Sequence, residues 1–226
     1  MTNFKFITPA YNCEKEIEQT IISVVGQTHK DWSMVIIDDL STDNTYEVCK
    51  KLAKKYQVED KIEVIKRKEK HGEVKNTIVE VERLDDDDVV VRLDAGDWLT
   101  DLGCLQIIDL GYRIHKASVL WTDQRWGFTP RSICGPINAE ISVYEQPWVS
   151  SHLKTFRVSA FRGLNPDNFL DKDGNEVEII SKTEVSQEET FYSLDVEDID
   201  TYFTSDILVH NIPPGKCFTG DTMITL

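Results

Sequence analysis

Val89 to Leu99, reading Val-Val-Val-Arg-Leu-Asp-Ala-Gly-Asp-Trp-Leu, constrains this chain more than any other stretch. Three β-branched apolar residues in succession (Val89, Val90, Val91) leave no polar face, which suits a strand buried on both sides, as in a parallel sheet. The run then stops on two carboxylates, Asp94 and Asp97, with Ala95 and Gly96 between them. In open α/β sheets ligands gather beyond the carboxyl ends of strands. Two acids on a glycine turn there can hold a hard divalent cation that in turn grips phosphate oxygens. The same residues also fit an ordinary turn, since Asp and Gly are turn formers. The flanking chain has to decide.

That chain alternates strand and helix patterns. Phe4 to Thr8 is a short apolar strand ended by Pro9-Ala10-Tyr11-Asn12. A helix is expected from about Glu14, with Ile17, Ile21, Val24 and Val25 on one face and Gly26 closing it. Met34 to Ile37 is the next strand, ending in Asp38-Asp39. A helix from Asp43 to Tyr56 follows, with Tyr46, Cys49, Leu52, Ala53 and Tyr56 inward and Asp43 as its cap. Ile62 to Ile65 reads as a strand, Gly72 to Leu84 as a weak helix, Asp85 to Asp88 as an acidic turn. Cys104 to Lys116 is a further helix and Val119 to Trp121 a short strand. This alternation is that of a layered α/β sheet. From Thr122 to about Asn175 the pattern is irregular and suits an acceptor-side or lid region better than more sheet. Beyond Asn175, Val177 to Ile180, Thr190 to Val196 and Thr201 to Val209 read as short strands without helices, so a domain junction is expected near Asn175.

At 226 residues, with 40% hydrophobic side chains, the chain can bury one substantial core and a small appendage. A formal net charge of −15 argues against broad electrostatic capture of nucleic acid or anionic membrane. The charge is uneven: residues 167–206 hold 13 acidic and two basic side chains, whereas Lys50 to Lys55 and Lys66 to Lys70 can form a basic patch. No apolar run approaches the ~20 residues that span a bilayer, and the opening residues lack a secretory-signal pattern. A soluble cytoplasmic protein is expected. The five cysteines (Cys13, Cys49, Cys104, Cys134, Cys217) lack metal-ligand spacing and read mostly as reduced core thiols.

Pro9, Tyr11 and Asp39 fall beyond the ends of two adjacent predicted strands. A tyrosine ring can stack on a nucleobase, and a carboxylate can accept from a base N–H or a ribose hydroxyl. Alternatively, Asp38 to Asp43 forms only a turn and a helix cap. Four blocks together carry a resemblance: Phe6 to Asn12, Ser23 to Thr28, Val35 to Thr45 and Leu93 to Leu99. In order and spacing over roughly residues 4–125 they resemble the amino-terminal half of family 2 glycosyltransferases of the GT-A fold.

The resemblance implies a mostly parallel sheet with helices on both faces, binding a UDP-sugar through Pro9, Tyr11 and Asp39. Gly72 and Lys75-Asn76 match the family's glycine and Arg-Asn pair, with lysine keeping the charge for a pyrophosphate but losing the bidentate fork. Asp94 is implied in donor and metal binding, Asp97 in metal binding, the metal being Mn2+ or Mg2+. The family usually reads Asp-Ala-Asp-Asp here; Gly96 replaces one acid, so weakened metal dependence or an inactive nucleotide-sugar binder stands as an alternative. Inverting transfer also needs a base at the acceptor hydroxyl. It is unassigned, with Asp123 and Glu145 as candidates and Gln124, Arg125, Trp126 and His152 as acceptor-side residues. Ser151 to Arg157 resembles the family's segment after the metal motif. A nucleotidyltransferase on a similar scaffold is disfavoured, since no glycine-rich phosphate loop opens the chain.

The tail carries a second resemblance. Glu176 to Ser181, Thr190 to Phe203 and Ile207 to Asn211 look like the carboxyl-terminal half of an intein or Hint domain, ending on His210-Asn211. In such domains the terminal Asn cyclises and cleaves the following bond with help from the His. Cys217 to Thr225 looks like the start of one, where Cys makes an acyl shift. The two pieces stand in reversed order, and residue 212 is Ile, so splicing within this chain is not expected; cleavage with a complementary intein half is. The expected organisation is a GT-A domain over 1–175, an intein-like segment over 176–211, and a linker with a second intein-like start over 212–226. The pairing of these parts suggests a phage-like source, and the host cytoplasm if viral. The implied activity is a metal-dependent, inverting, hexosyltransferase-like transfer from a UDP-sugar to an unknown hydroxyl acceptor. The alternative is an incomplete precursor whose chemistry is cleavage after Asn211.

Overall fold

The computed structural model describes residues 1–126, 134 and 153–163, and the backbone alone of Asp123, Trp126, 201–204, 207–210 and 222–225. The chain runs β1 (Phe4–Ala10), α1 (Ile17–Val25), β2 (Trp32–Asp38), α2 (Thr45–Lys55), β3 (Ile62–Lys66), α3 (Gly72–Val81), β4 (Val89–Arg92), β5 (Trp98–Leu99), α4 (Cys104–His115), β6 (Val119–Trp121), β7 (Asp123–Trp126), β8 (Lys154–Arg157) and α5 (Val158–Arg162). A six-stranded sheet in the order β3-β2-β1-β4-β8-β6 forms its centre. The first four strands are parallel, and β8 is antiparallel to both its neighbours. The sheet is therefore mostly parallel, as expected.

Alternation along the strands separates two apolar layers. Phe4, Phe6, Met34, Ile36, Val89 and Val91 pack with Ile17, Ile21 and Val24 of α1, Cys49 and Leu52 of α2, and Leu105, Ile108 and Tyr112 of α4. On the other face Ile7, Ile37, Val90 and Phe156 pack with Val81 of α3 and Val158 of α5. The valine run of β4 is buried throughout, because both layers cover it.

Several expectations need correction. The residues after Trp121 are not all irregular: Lys154–Arg157 is strand β8, inserted in the main sheet. Its burial comes from distant partners, since Tyr112 Oη meets Thr155 Oγ1 at 2.8 Å and Phe156 joins the layer under α3. α3 is the expected helix from Gly72 but ends at Val81 rather than Leu84, and α1 begins at Ile17 rather than near Glu14. Tyr46 is only half buried, its ring flanked by Lys50 and Lys66, so the two lysine runs do meet. Asn44 rather than Asp43 occupies the cap position of α2, although Asp43 still accepts from Thr45 N at 3.0 Å. Thr201 to Val209 is a pair of antiparallel strands, β9 (Thr201–Thr204) and β10 (Ile207–His210), not one. A last strand, β11 (Thr222–Thr225), lies between β5 and β7. Cys13, Cys49 and Cys104 are buried, as expected of core cysteines, and burial pushes the Cys49 thiol up to about 12. Among the described residues no helix is long and apolar enough to cross a membrane. Val177 to Ile180 and Thr190 to Val196 lie outside the described residues.

Candidate functional site

The carboxyl end of β1 is the anchor of the site. Asp39, just past β2, donates its amide to Ala10 O at 3.0 Å, and Ala95, past β4, donates to Pro9 O at 3.4 Å. Two neighbouring carbonyls of one strand thus hold the turns that follow the strands on either side. The loop after β1 is bolted to the loop after β2: Asn12 Oδ1 accepts from Thr42 N at 2.8 Å, and Ser41 Oγ accepts from Asn12 N at 3.0 Å. Tyr11 projects from this junction, 38% exposed, with Lys70 Nζ 4.5 Å from its ring centroid. Below it, burial opposes the charge of Asp43, but bonds from Thr45 and Glu14 outweigh that and hold its carboxyl below the usual range.

Asp39 is buried and has taken partners. Its two oxygens accept from the backbone amides of His71 and Gly72, each at 2.9 Å, at the amino end of α3. This is the anion-attracting end of the helix. Gly72 makes the approach possible, because its φ of +74° is one that residues with a Cβ rarely adopt. A carboxylate has about four acceptor positions, so Asp39 retains capacity for a ligand donor. Lys75 stands half buried in the next turn of α3, and Asn76 is fully buried, accepting from Arg67 Nε at 2.9 Å.

Past β4, Asp97 N donates to Asp94 O at 3.1 Å, closing a tight turn bracketed by the two acids. Gly96 within it has φ +106° and gives its amide to Thr20 Oγ1 at 2.9 Å. Gln124 Nε2 reaches Asp97 Oδ2 at 3.4 Å. Asp94 Oδ1 lies 3.4 Å from Arg92 Nη2, which also pairs with Glu73. Burial works against the Arg92 charge, but these two carboxylates outweigh it and keep the guanidinium firmly protonated. Among the described residues no cluster of three His, Cys, Asp or Glu forms a self-contained metal site. Two carboxylates, completed by phosphate oxygens and water, are nonetheless a normal set for Mg2+ or Mn2+, so Asp94 and Asp97 fit the implied metal.

The block Ser23 to Thr28 clamps the chain that follows this turn. Gln27 Nε2 donates to Ser23 O and Asp101 O at 3.0 and 2.8 Å, while its Oε1 accepts from Leu105 N at 3.1 Å. Thr28 N and Oγ1 both donate to Leu102 O, and Ser23 Oγ accepts from Leu99 N at 3.1 Å. A side chain at Gly26 would stand 3.1 Å from Leu102 Cδ2.

Pro9, Tyr11, Asp39, Asp94 and Asp97 therefore share one rim of the sheet, with Lys75 on the adjoining helix. Of the acceptor-side residues, Gln124 is beside Asp97. The backbone of Asp123 and Trp126 belongs to β7 and that of His210 ends β10, but their side chains, with Glu145, His152, Asn211 and Cys217, lie outside the described residues. Sequence reasoning missed Arg92, Glu73 and Lys154, which meet near Asp94; the register Arg92↔Lys154 is what joins them. A cation at the end of an apolar strand was the available signal for Arg92.

Residues 5–124, more than half of the chain, match the model of "Glycosyl transferase family 2". TuaG of Bacillus subtilis (strain 168), a glycosyltransferase named for teichuronic acid biosynthesis, is 40% identical over 76 residues, 32% of this chain and 29% of TuaG. The Escherichia coli glucosyltransferase WfaP, named for transfer from UDP-Glc to GlcNAc-diphosphoundecaprenol, is 41% identical over 46 residues, 20% of this chain and 18% of WfaP. The matched portion thus spans less than a third of either relative. Among solved structures, Staphylococcus aureus TarS 1–349 with UDP-GlcNAc is 22% identical with a TM-score of 0.55, covering 72% of this chain and 47% of that one. The mannosyltransferase PcManGT of Pyrobaculum calidifontis, with GDP-Man and Mn2+, is 16% identical with a TM-score of 0.54, covering 69% and 44%. These likenesses establish the GT-A fold. With the family match over the strands and turns that build the rim, the chain belongs to glycosyl transferase family 2.

Proposed function

We propose that this protein transfers a sugar from a UDP-sugar to a hydroxyl acceptor, with inversion and with Mn2+ or Mg2+ at Asp94 and Asp97. One observation carries the reading: the Pro9 and Ala10 carbonyls draw the turns bearing Asp94, Asp97 and Asp39 to one strand end, beside Tyr11. There, an aromatic face and a carboxylate suit a pyrimidine nucleoside, and two acids suit a cation between protein and diphosphate. A bound metal supplies charge neutralisation for the departing UDP. Asp94 and Asp97 position that charge, Tyr11 and Asp39 hold the nucleoside, and Lys75 adds a cation from α3. UDP-GlcNAc bound to TarS and UDP-Glc in the name of WfaP favour a UDP donor.

Asp123 and Glu145 are the candidates for the base, and Asp123 is tested first because it lies in β7, the strand whose Gln124 contacts Asp97. Asp123→Asn should abolish turnover while sparing UDP binding; undiminished turnover removes Asp123 from the role. For the donor site, calorimetry with UDP should show tighter binding with manganese, and an enhancement lost in Asp97→Ala. Binding indifferent to both manganese and that substitution would refute the metal assignment. Turnover across a panel of UDP- and GDP-sugars identifies the donor, and UDP binding with no turnover would favour an inactive binder.

A second reading concerns the tail, on the strength of the His210-Asn211 ending followed by Cys217. We infer an intein-like unit over 176–211, separate from the transferase domain over 1–175. The Asn211 side-chain nitrogen attacks its own carbonyl carbon, the bond to Ile212 breaks, and the products are a terminal succinimide and a free Ile212 amine. A mass unchanged over days, with Asn211→Ala indistinguishable from the parent, counts against it.

A further inference from the structure

At the same rim, buried donors stand without acceptors among the described residues. Lys154 opens β8 directly opposite Arg92, the last residue of β4, so the two side chains share the face under α3. Both residues are 8% exposed. Arg92 spends its terminal nitrogens on Glu73, Asp94 and Thr77 Oγ1, the last at 3.1 Å, yet its Nε meets no acceptor among the described residues. Lys154 Nζ meets none among the described residues, nor does Asn76 Nδ2 on α3. An ammonium can only donate, and buried charges are normally paired. The nearby carboxylates of Glu73 and Asp94 are both engaged by Arg92. Burial lowers Lys154 to about 8, which still leaves it largely protonated at neutral pH.

Two unsatisfied cationic donors under one helix, with a third donor on the helix itself, call for a ligand rich in acceptor oxygens. The acids of the neighbouring turn number two rather than three, since Gly96 carries no side chain, and Asp94 already shares its charge with Arg92. A diphosphate arriving there therefore needs protein cations in addition to any metal. The four-carbon stem of lysine lets its ammonium reach the rim by a change of rotamer. We propose that Lys154, with Arg92 Nε beside it, gives this protein a metal-independent hold on the diphosphate of its sugar-nucleotide donor. This rests on the donor site proposed above.

The test is calorimetry of UDP and of uridine in EDTA, on wild type, Lys154→Met and Lys154→Arg. Wild type should prefer UDP to uridine without metal. Lys154→Met should lose about 10–100-fold in UDP affinity with uridine unchanged, and Lys154→Arg should recover part of the loss. A wild type that binds UDP no better than uridine in EDTA would overturn the proposal, as would a Lys154→Met protein that keeps the preference. Wild type that binds neither probe, even with manganese, would overturn the donor site itself and the lysine's role with it.

Discussion

Gly96 is where this chain departs most sharply from the expected acid quartet, and its backbone accounts for the departure. At φ +106° a residue with a Cβ is strained, although the space is open, the nearest atom to a built Cβ being Glu16 Cβ at 3.6 Å. Gly96→Asp should therefore restore a carboxylate at a cost of about 1–3 kcal/mol in stability. Thermal unfolding reads the cost and manganese calorimetry the gain; unchanged stability would show that the turn relaxes freely. Lys154 makes the opposite exchange. Its folded value of about 8 lies below the 10.5 of a free lysine, so the unfolded chain holds the extra proton between those values. The cost of burying the charge is fully present below pH 8 and fades as pH rises toward 10.5. Glu73 on α3, Arg92, Asp94 and Cys134 are the charged or titratable groups around it. Lys154→Met should be more stable than wild type at pH 7, by roughly 2–3 kcal/mol, with the gap closing in alkali. Denaturant unfolding at pH 7 and 10 measures it, and a gap that widens with pH contradicts it.

At the scale of elements, the turn carrying the acids is only as fixed as the clamp beneath it. Gln27 is fully buried and spends both ends of its amide on that clamp. Gln27→Ala strands the Asp101 carbonyl and the Leu105 amide, and should cost roughly 2–4 kcal/mol. It should also weaken UDP binding with manganese while leaving uridine binding intact, a split that a uniform loss of folded protein would not produce. The motif Ser23 to Thr28 was legible as a block, but its task was not, because a glutamine in sequence does not announce which carbonyl it will meet 74 residues away. The strands β1 to β4 were legible because each is a compact apolar run between segments of helical period. β8 was not: Lys-Thr-Phe-Arg has a charge at each end, and only pairing with β4 and contact with Tyr112 make it interior. Lys154 was lost for the same reason, its meaning residing in a register rather than in a pattern.

For the molecule as a whole, the proposed donor rim was readable because it is built where chain reversals carry their own vocabulary of Pro, Gly and Asp, within the first hundred residues. The candidate acceptor-side residues are dispersed after Trp121, and no local period unites them. This asymmetry gives β8 a wider importance. The region that identifies the family stops at residue 124, yet β4 finds its outer neighbour only in Lys154–Arg157. Severed after Trp126, the chain would leave the valine-rich flank of β4 with bare amides and carbonyls, an invitation to any passing strand. Such a fragment should form large assemblies by light scattering where the full chain does not; a monodisperse fragment would refute this. Recombination at the end of the recognisable motif would then yield a protein that sticks to itself, so the inheritable unit extends past the part by which it is recognised.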